Sequence, residues 1–152
     1  MRDVNDVGVD VASAPVPAPG YARRVRGLVA TGCLATLGAM VTTTLIAAAA
    51  GAAGVDFEVP AGGESIPVPG VAVFTGFFSL VGVVIAAALL RWSARPAERF
   101  RWTALSLTAI SLVPPVLAGG NTATTVTLIG LHLAAACVMI PTLVRALRAR
   151  GA

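Results

Sequence analysis

His132 is the only histidine in the chain, and it lies near the middle of the apolar stretch ATTVTLIGLHLAAACVMIPTLV at residues 123–144. An ionisable side chain inside a segment long enough to cross a membrane is costly, so it is by default a candidate for function. Ser79 and Thr108 lie at a similar depth in two other apolar stretches, and Thr125 lies two helical turns before the histidine. The sequence therefore predicts an inward-facing polar cluster of these four side chains.

Three roles are open to this cluster. The first is structural, because hydrogen bonds between membrane helices contribute about 0.6 kcal/mol on average and fix the helix register without any activity. The second is contact with a ligand or pigment, and the third is catalysis or proton transfer. A single histidine can supply one axial ligand to a haem, but a two-histidine site would need a second copy of the chain. The sequence itself assigns no catalytic residue, no metal site and no cofactor.

The remaining residues with reactive side chains are few. Cys33 and Cys137 are the only cysteines, and we expect them to be small packing residues in a reducing half of the membrane rather than a disulfide. The chain has no C-x-x-C pair, nucleotide-binding loop or nucleophile elbow. No Asp, Glu, Lys or Arg lies inside an apolar stretch. We therefore expect that the protein is not an enzyme.

The composition is that of a membrane protein. Of the 152 residues, 57% are hydrophobic and 12% are charged, whereas soluble domains carry about 25% charged residues. The net charge of +4 does not indicate nucleic-acid binding, because the basic residues are not interleaved with aromatic stacking residues. All 11 are arginines, and they lie in the tail with the lead-in to the first span, in the middle loop and at the C-terminus: Arg2, Arg23, Arg24 and Arg26; Arg91, Arg95, Arg99 and Arg101; and Arg145, Arg148 and Arg150.

Four apolar stretches approach or reach the length of about 20 residues that a membrane-spanning helix needs. The predicted spans are residues 27–50, 71–90, 102–117 and 123–144. The first could instead be a signal peptide, but its apolar part of 19 residues is longer than a signal core of about 7–15. Pro114-Pro115 predicts a kink or early stop in the third span. The expected fold is all-α, an integral membrane four-helix bundle, with residues 23–148 as one membrane domain.

The segments outside the spans predict the orientation. Residues 1–22 are polar and proline-rich, and we expect a disordered cytoplasmic tail. The one longer loop, residues 54–69 between helices 1 and 2, carries three acidic residues and no basic one, and its alternating pattern weakly indicates a short hairpin. The positive-inside rule then places this loop and residues 118–122 outside the cell, and both termini in the cytoplasm.

Three sequence stretches resemble a known family. They are IPVPGVAVFTGFFSLVG at 66–82, SLVPP at 111–115 and ATTVTLIGLHLAAACVMIPTLVRAL at 123–147. In combination they are similar to an actinobacterial family of small four-helix membrane proteins, catalogued as a domain of unknown function, and the resemblance covers residues 25–148. It implies four spans in a bacterial inner membrane. It brings no activity and no catalytic residue.

The expected function is that of a non-enzymatic membrane protein. Small residues on the helices favour close packing with another helix, so the expected partners are the lipid bilayer and either a second copy of the chain or another membrane protein. The alternative is a binder or carrier of a hydrophobic ligand that uses the polar cluster around His132.

Overall fold

The computed structural model describes residues 20–59, 64–65, 67–117 and 121–151, and the predicted tail lies almost entirely outside them. Its elements are α1 (Tyr21–Ala52), β1 (Glu58–Val59), β2 (Glu64–Ser65), α2 (Val68–Trp92), α3 (Pro96–Ser111), α4 (Val113–Leu117) and α5 (Thr122–Gly151). With α3 and α4 taken together, four helical segments are long and apolar enough to cross a membrane. The prediction of four such helices is confirmed.

The helices are longer than the predicted spans. α1 begins at Tyr21, before the apolar stretch starts, and α5 continues to Gly151 beyond residue 144. Apolar character decides which part of a helix lies in lipid, whereas the helix itself continues until the sequence interrupts it. α5 begins at Thr122 because Asn121 caps it: the N–H of Thr124 donates to the Asn121 Oδ1 at 2.7 Å.

The third span breaks at Leu112, between α3 and α4. Pro114 and Pro115 have no backbone N–H, so two carbonyls of the preceding turn lose their helical hydrogen bonds. The N–H of Leu112 still donates to the carbonyl of Thr108 at 3.2 Å, which closes the last turn of α3. The interruption expected from the two prolines is therefore present.

Two groups of buried side chains form the core. One lies between α1, α2, α3 and α5 and includes Leu28, Ala35, Ala39, Val83, Ala86, Phe100, Leu143 and Leu147. The other lies towards the opposite end and consists of Ala47, Phe57, Val71 and Leu131. Glycine allows the closest approach: a Cβ added to Gly32 of α1 would lie 2.6 Å from Cγ2 of Val83 in α2. Small residues thus set the distance between the first two helices.

The third span is the least buried of the four. We compare the most apolar stretch of each span. In the third span 11% of its residues are buried, whereas the share is 28% in the first span, 22% in the second and 17% in the fourth. Pro96 and Phe100 are the buried residues of α3, and Pro115 is the one of α4. Most of the third span therefore presents its surface outwards.

The described part of the longer loop contacts the bundle through one aromatic residue. Glu58 pairs with Ser65 and Val59 pairs with Glu64 in an antiparallel arrangement, so a short hairpin is present. Phe57 precedes it with a φ of 49°, a value that is rare for a bulky residue. Its side chain is 4% exposed and packs in the second core group. This aromatic ring attaches the loop to the helices.

Candidate functional site

His132 lies half-buried in α5, and its ring is hydrogen-bonded to its own helix. The distance from Nδ1 to the carbonyl oxygen of Leu128 is 2.7 Å. Because a carbonyl can only accept, Nδ1 carries the proton, and in the neutral ring Nε2 holds the lone pair. Among the described residues, no hydrogen bond engages Nε2. The imidazole therefore offers one acceptor that the bundle leaves free.

The other three members of the predicted cluster lie on three helices, and one of these helices, α5, also carries His132. Ser79 is buried in α2, whereas Thr108 of α3 and Thr125 of α5 are half-buried. The hydroxyl of Thr108 donates to the carbonyl of Ala104 in its own helix at 2.8 Å. Within the described parts of the chain, no hydrogen bond joins any two of the four side chains. A cluster centred on His132 stays a prediction.

A different polar pair links two helices. The hydroxyl oxygens of Thr43 in α1 and Thr75 in α2 are 3.1 Å apart, and Thr43 is fully buried. Thr43 donates its own proton to the carbonyl of Ala39 at 2.9 Å, so Thr75 is the donor in the pair. This contact was not predicted from the sequence. The sequence pattern that could have predicted it is the four-residue spacing of small residues in α1. These residues are Ala35, Ala39, Thr43 and Ala47, and all of them are buried.

The arginines that the structure describes collect at one end of the molecule, which we call the arginine-rich end: the start of α1 and α3 and the end of α2 and α5. The guanidinium of Arg91 lies 5.3 Å from the ring centre of Tyr21, which places the end of α2 beside the start of α1. The one ion pair among the described residues joins Arg95 to Glu98 at 3.6 Å. This end therefore carries a large excess of positive charge.

Two of these arginines connect the first and last helices. Nη1 of Arg24 donates to the backbone carbonyl of Arg150 at 3.1 Å, and Nη2 of Arg150 donates to the hydroxyl of Thr31 at 3.3 Å. Nη1 of Arg150 also donates to the carbonyl of Ala146 at 3.0 Å. Cations are favourable at a helix C-terminus, where carbonyls lack helical partners. The arrangement stabilises the contact between α1 and α5.

The cysteines do not pack inside the bundle. Cys33 and Cys137 are free, and both are exposed on the helix surface, so within the bundle they do not serve as the small packing residues that we expected. The helices are apolar on nearly every side, and a thiol can face hydrocarbon at little cost. Within the described ranges, no group of three or more His, Cys, Asp or Glu residues could hold a metal ion.

The chain matches one family of known sequences among those compared. The model of a family described as "Family of unknown function (DUF6069)" matches residues 23–149. The matched range contains the four predicted spans and leaves out the whole of the predicted tail at residues 1–22. No curated protein and no solved structure matches the chain.

Proposed function

The chain belongs to DUF6069, a family of unknown function, and we propose that it is a non-enzymatic, multi-pass membrane protein that acts by assembling with a second copy of itself. The proposed location is the inner membrane of a bacterial cell. The proposed orientation has the arginine-rich end and both termini in the cytoplasm, because arginines favour the cytoplasmic side of a membrane. The acidic loop between α1 and α2 then lies outside.

The observation that carries the proposal is the outward face of α3. Thr103, Ser106 and Ala109 follow one another at three-residue spacing and are all exposed. Thr108 and Ser111 of the same helix donate their hydroxyl protons to carbonyls of that helix, at 2.8 Å in each case. Among the described residues, no hydrogen bond engages the side chain of Ser106. α3 thus presents an unengaged hydroxyl and a small residue towards lipid.

Such a face suits contact with a second helix. Membrane helices associate through small residues, which allow close approach, and through hydroxyls, which bond across the interface. A hydroxyl both donates and accepts, so Ser106 can pair with Ser106 of a second copy across a two-fold axis. Two copies inserted in the same orientation bring this residue to the same depth. The low burial of the third span supports the same interface.

Cysteine cross-linking in membranes tests this proposal. Because the native thiols are exposed, the background is Cys33→Ala together with Cys137→Ala. We expect Ser106→Cys to form a disulfide-linked dimer on mild oxidation. The matched control is Val84→Cys on α2, which is 67% exposed and lies within about one helical turn of the same depth. Equal cross-linking at both positions, or none at Ser106→Cys, would reject the α3 interface.

A second function, the binding of a hydrophobic ligand, is favoured by one observation. Nε2 of His132 is an acceptor inside a predicted span that no described residue engages. A ligand with a hydroxyl or N–H donor would satisfy it. We expect His132→Ala to lose a co-purifying small molecule that wild type retains. The control is Thr127→Ala, whose hydroxyl donates to its own helix at 2.7 Å. Unchanged ligand content in His132→Ala would end this alternative.

A further inference from the structure

Two adjoining cavities open at the arginine-rich end, around the first turns of α3. One has a volume of about 450 Å³ and lies between α3 and the last turns of α5, with Arg95, Arg101 and Arg148 in its wall. The other has a volume of about 560 Å³, with Arg95, Arg99 and Trp102 in its wall. Arg95 belongs to both cavities. Four arginines therefore surround one small region at the start of the third span.

The positive charge of this region is largely unbalanced. Glu98 is the one acidic residue that lines either cavity. It pairs with Arg95 at 3.6 Å, but the two side chains are 53% and 79% exposed, so solvent weakens the pair. Among the described residues, Arg99, Arg101 and Arg148 have no carboxylate partner.

The cavity walls are also partly apolar. Leu89 and Trp102 line the larger cavity, and Leu147 lines the smaller one. A tryptophan beside arginines at the end of a span is typical of the level of lipid headgroups. The planar guanidinium matches the geometry of phosphate oxygens and can bond to them in pairs. The region thus combines donors for a phosphate with apolar surface for the adjoining carbon chains.

We propose that these cavities bind the phosphate of an anionic phospholipid such as phosphatidylglycerol. The phosphate lies among Arg95, Arg101 and Arg148, and the carbon chains next to it contact Leu89 and Trp102. Basic pockets between membrane helices recognise anionic headgroups in this way. A free phosphate compound would use the same arginines, but it would leave Leu89 and Trp102 without a contact. The proposal does not depend on self-assembly.

Lipid titration followed by native mass spectrometry tests the site on the purified full-length protein in detergent. We expect phosphatidylglycerol to bind more tightly than phosphatidylcholine. Arg101→Gln and Arg148→Gln should each weaken phosphatidylglycerol binding about fivefold, which corresponds to about 1 kcal/mol for an arginine near a lipid surface. The matched control is Arg23→Gln, which is exposed at the same end of the bundle but lines neither cavity, and its effect should stay below about twofold.

Three outcomes would overturn the proposal. An equal loss in Arg23→Gln would show attraction by overall surface charge and no site. Equal affinity for phosphatidylcholine, whose phosphate is paired with a choline cation, would show that the net negative charge of the headgroup is not recognised. Displacement of phosphatidylglycerol by inorganic phosphate at a similar concentration would assign the arginines to a free phosphate compound. Arg101 and Arg148 are exposed, and thermal unfolding in phosphatidylcholine checks that each variant keeps its fold.

Discussion

The guanidinium of Arg150 lies directly against Gly27, near the other end of the chain: a Cβ added to Gly27 would be 2.9 Å from the Nε of Arg150. From this position the arginine reaches Thr31 one turn further along α1. The absence of a side chain at residue 27 leaves the space in which the arginine lies. The last turn of α5 is thereby held against the first turns of α1.

Loss of this arginine should loosen the bundle. Arg150→Ala removes the donors to Thr31 and Ala146, and because the site is half-exposed we expect a loss of about 1 kcal/mol in the free energy of unfolding. Thermal unfolding in detergent measures the change. Arg145→Ala is the control, since Arg145 is exposed on the same helix and should have little effect. Equal stability of the two variants would show that the contact contributes nothing.

The same substitution at two glycines should have opposite effects. In Gly32→Ala, the new Cβ would lie 2.6 Å from Val83, a β-branched residue that cannot rotate away, so we expect a loss of about 1–3 kcal/mol. In Gly82→Ala, no atom lies within 4 Å of the new Cβ, and helix propensity predicts a gain of up to about 1 kcal/mol. Denaturation of both variants in one detergent compares them. A tolerated Gly32→Ala would contradict the packing of α1 on α2.

The hydrogen bond between Thr43 and Thr75 should contribute a small amount to the free energy of unfolding. Thr43→Val keeps the side-chain volume but removes the bond to Thr75, and the expected cost is about 0.6 kcal/mol. Thr42→Val is the control, because the hydroxyl of Thr42 bonds to the carbonyl of Gly38 in its own helix. A double-mutant cycle with Thr75→Val isolates the pairwise energy. Strictly additive losses would indicate that the two hydroxyls do not interact.

The orientation can be tested with single cysteines. In the Cys33→Ala, Cys137→Ala background, we expect Asp56→Cys in the acidic loop to react with a membrane-impermeant maleimide on intact cells. Ala149→Cys at the arginine-rich end should react only after permeabilisation, because arginines favour the cytoplasmic side. Both residues are exposed in the structure. The reverse pattern of labelling would invert the proposed topology.

The sequence predicts the features that depend on local chemistry. Four apolar stretches indicate four helices, and Pro114-Pro115 indicates the break that the structure places at Leu112. The hydroxyls of Thr42 and Thr43 donate to carbonyls of their own helix, as threonines inside helices commonly do. Each of these features follows from residues within one turn of each other, so a single sequence is sufficient.

The rotation of each helix about its axis was harder to predict. In a soluble helix, polar residues mark the outer face, but these helices are apolar on most sides, and lipid accepts any apolar face. For that reason the outward position of Cys33 and the inward position of Thr43 were not anticipated. The contact of Arg24 with Arg150 joins residues from opposite ends of the chain, so no local sequence pattern predicts it.

A native mass spectrum of the protein released from mild detergent tests the central claim most directly, because it reports the number of subunits and any bound mass together. We predict a dimer for wild type and a monomer for the double variant with Ser106→Leu and Ala109→Leu. The control is Ala30→Leu, which enlarges an exposed alanine on α1 and should remain a dimer. A monomeric wild type, or a dimer that persists in the double variant, would contradict assembly through α3. A monomer with a small molecule that His132→Ala loses would instead favour ligand binding.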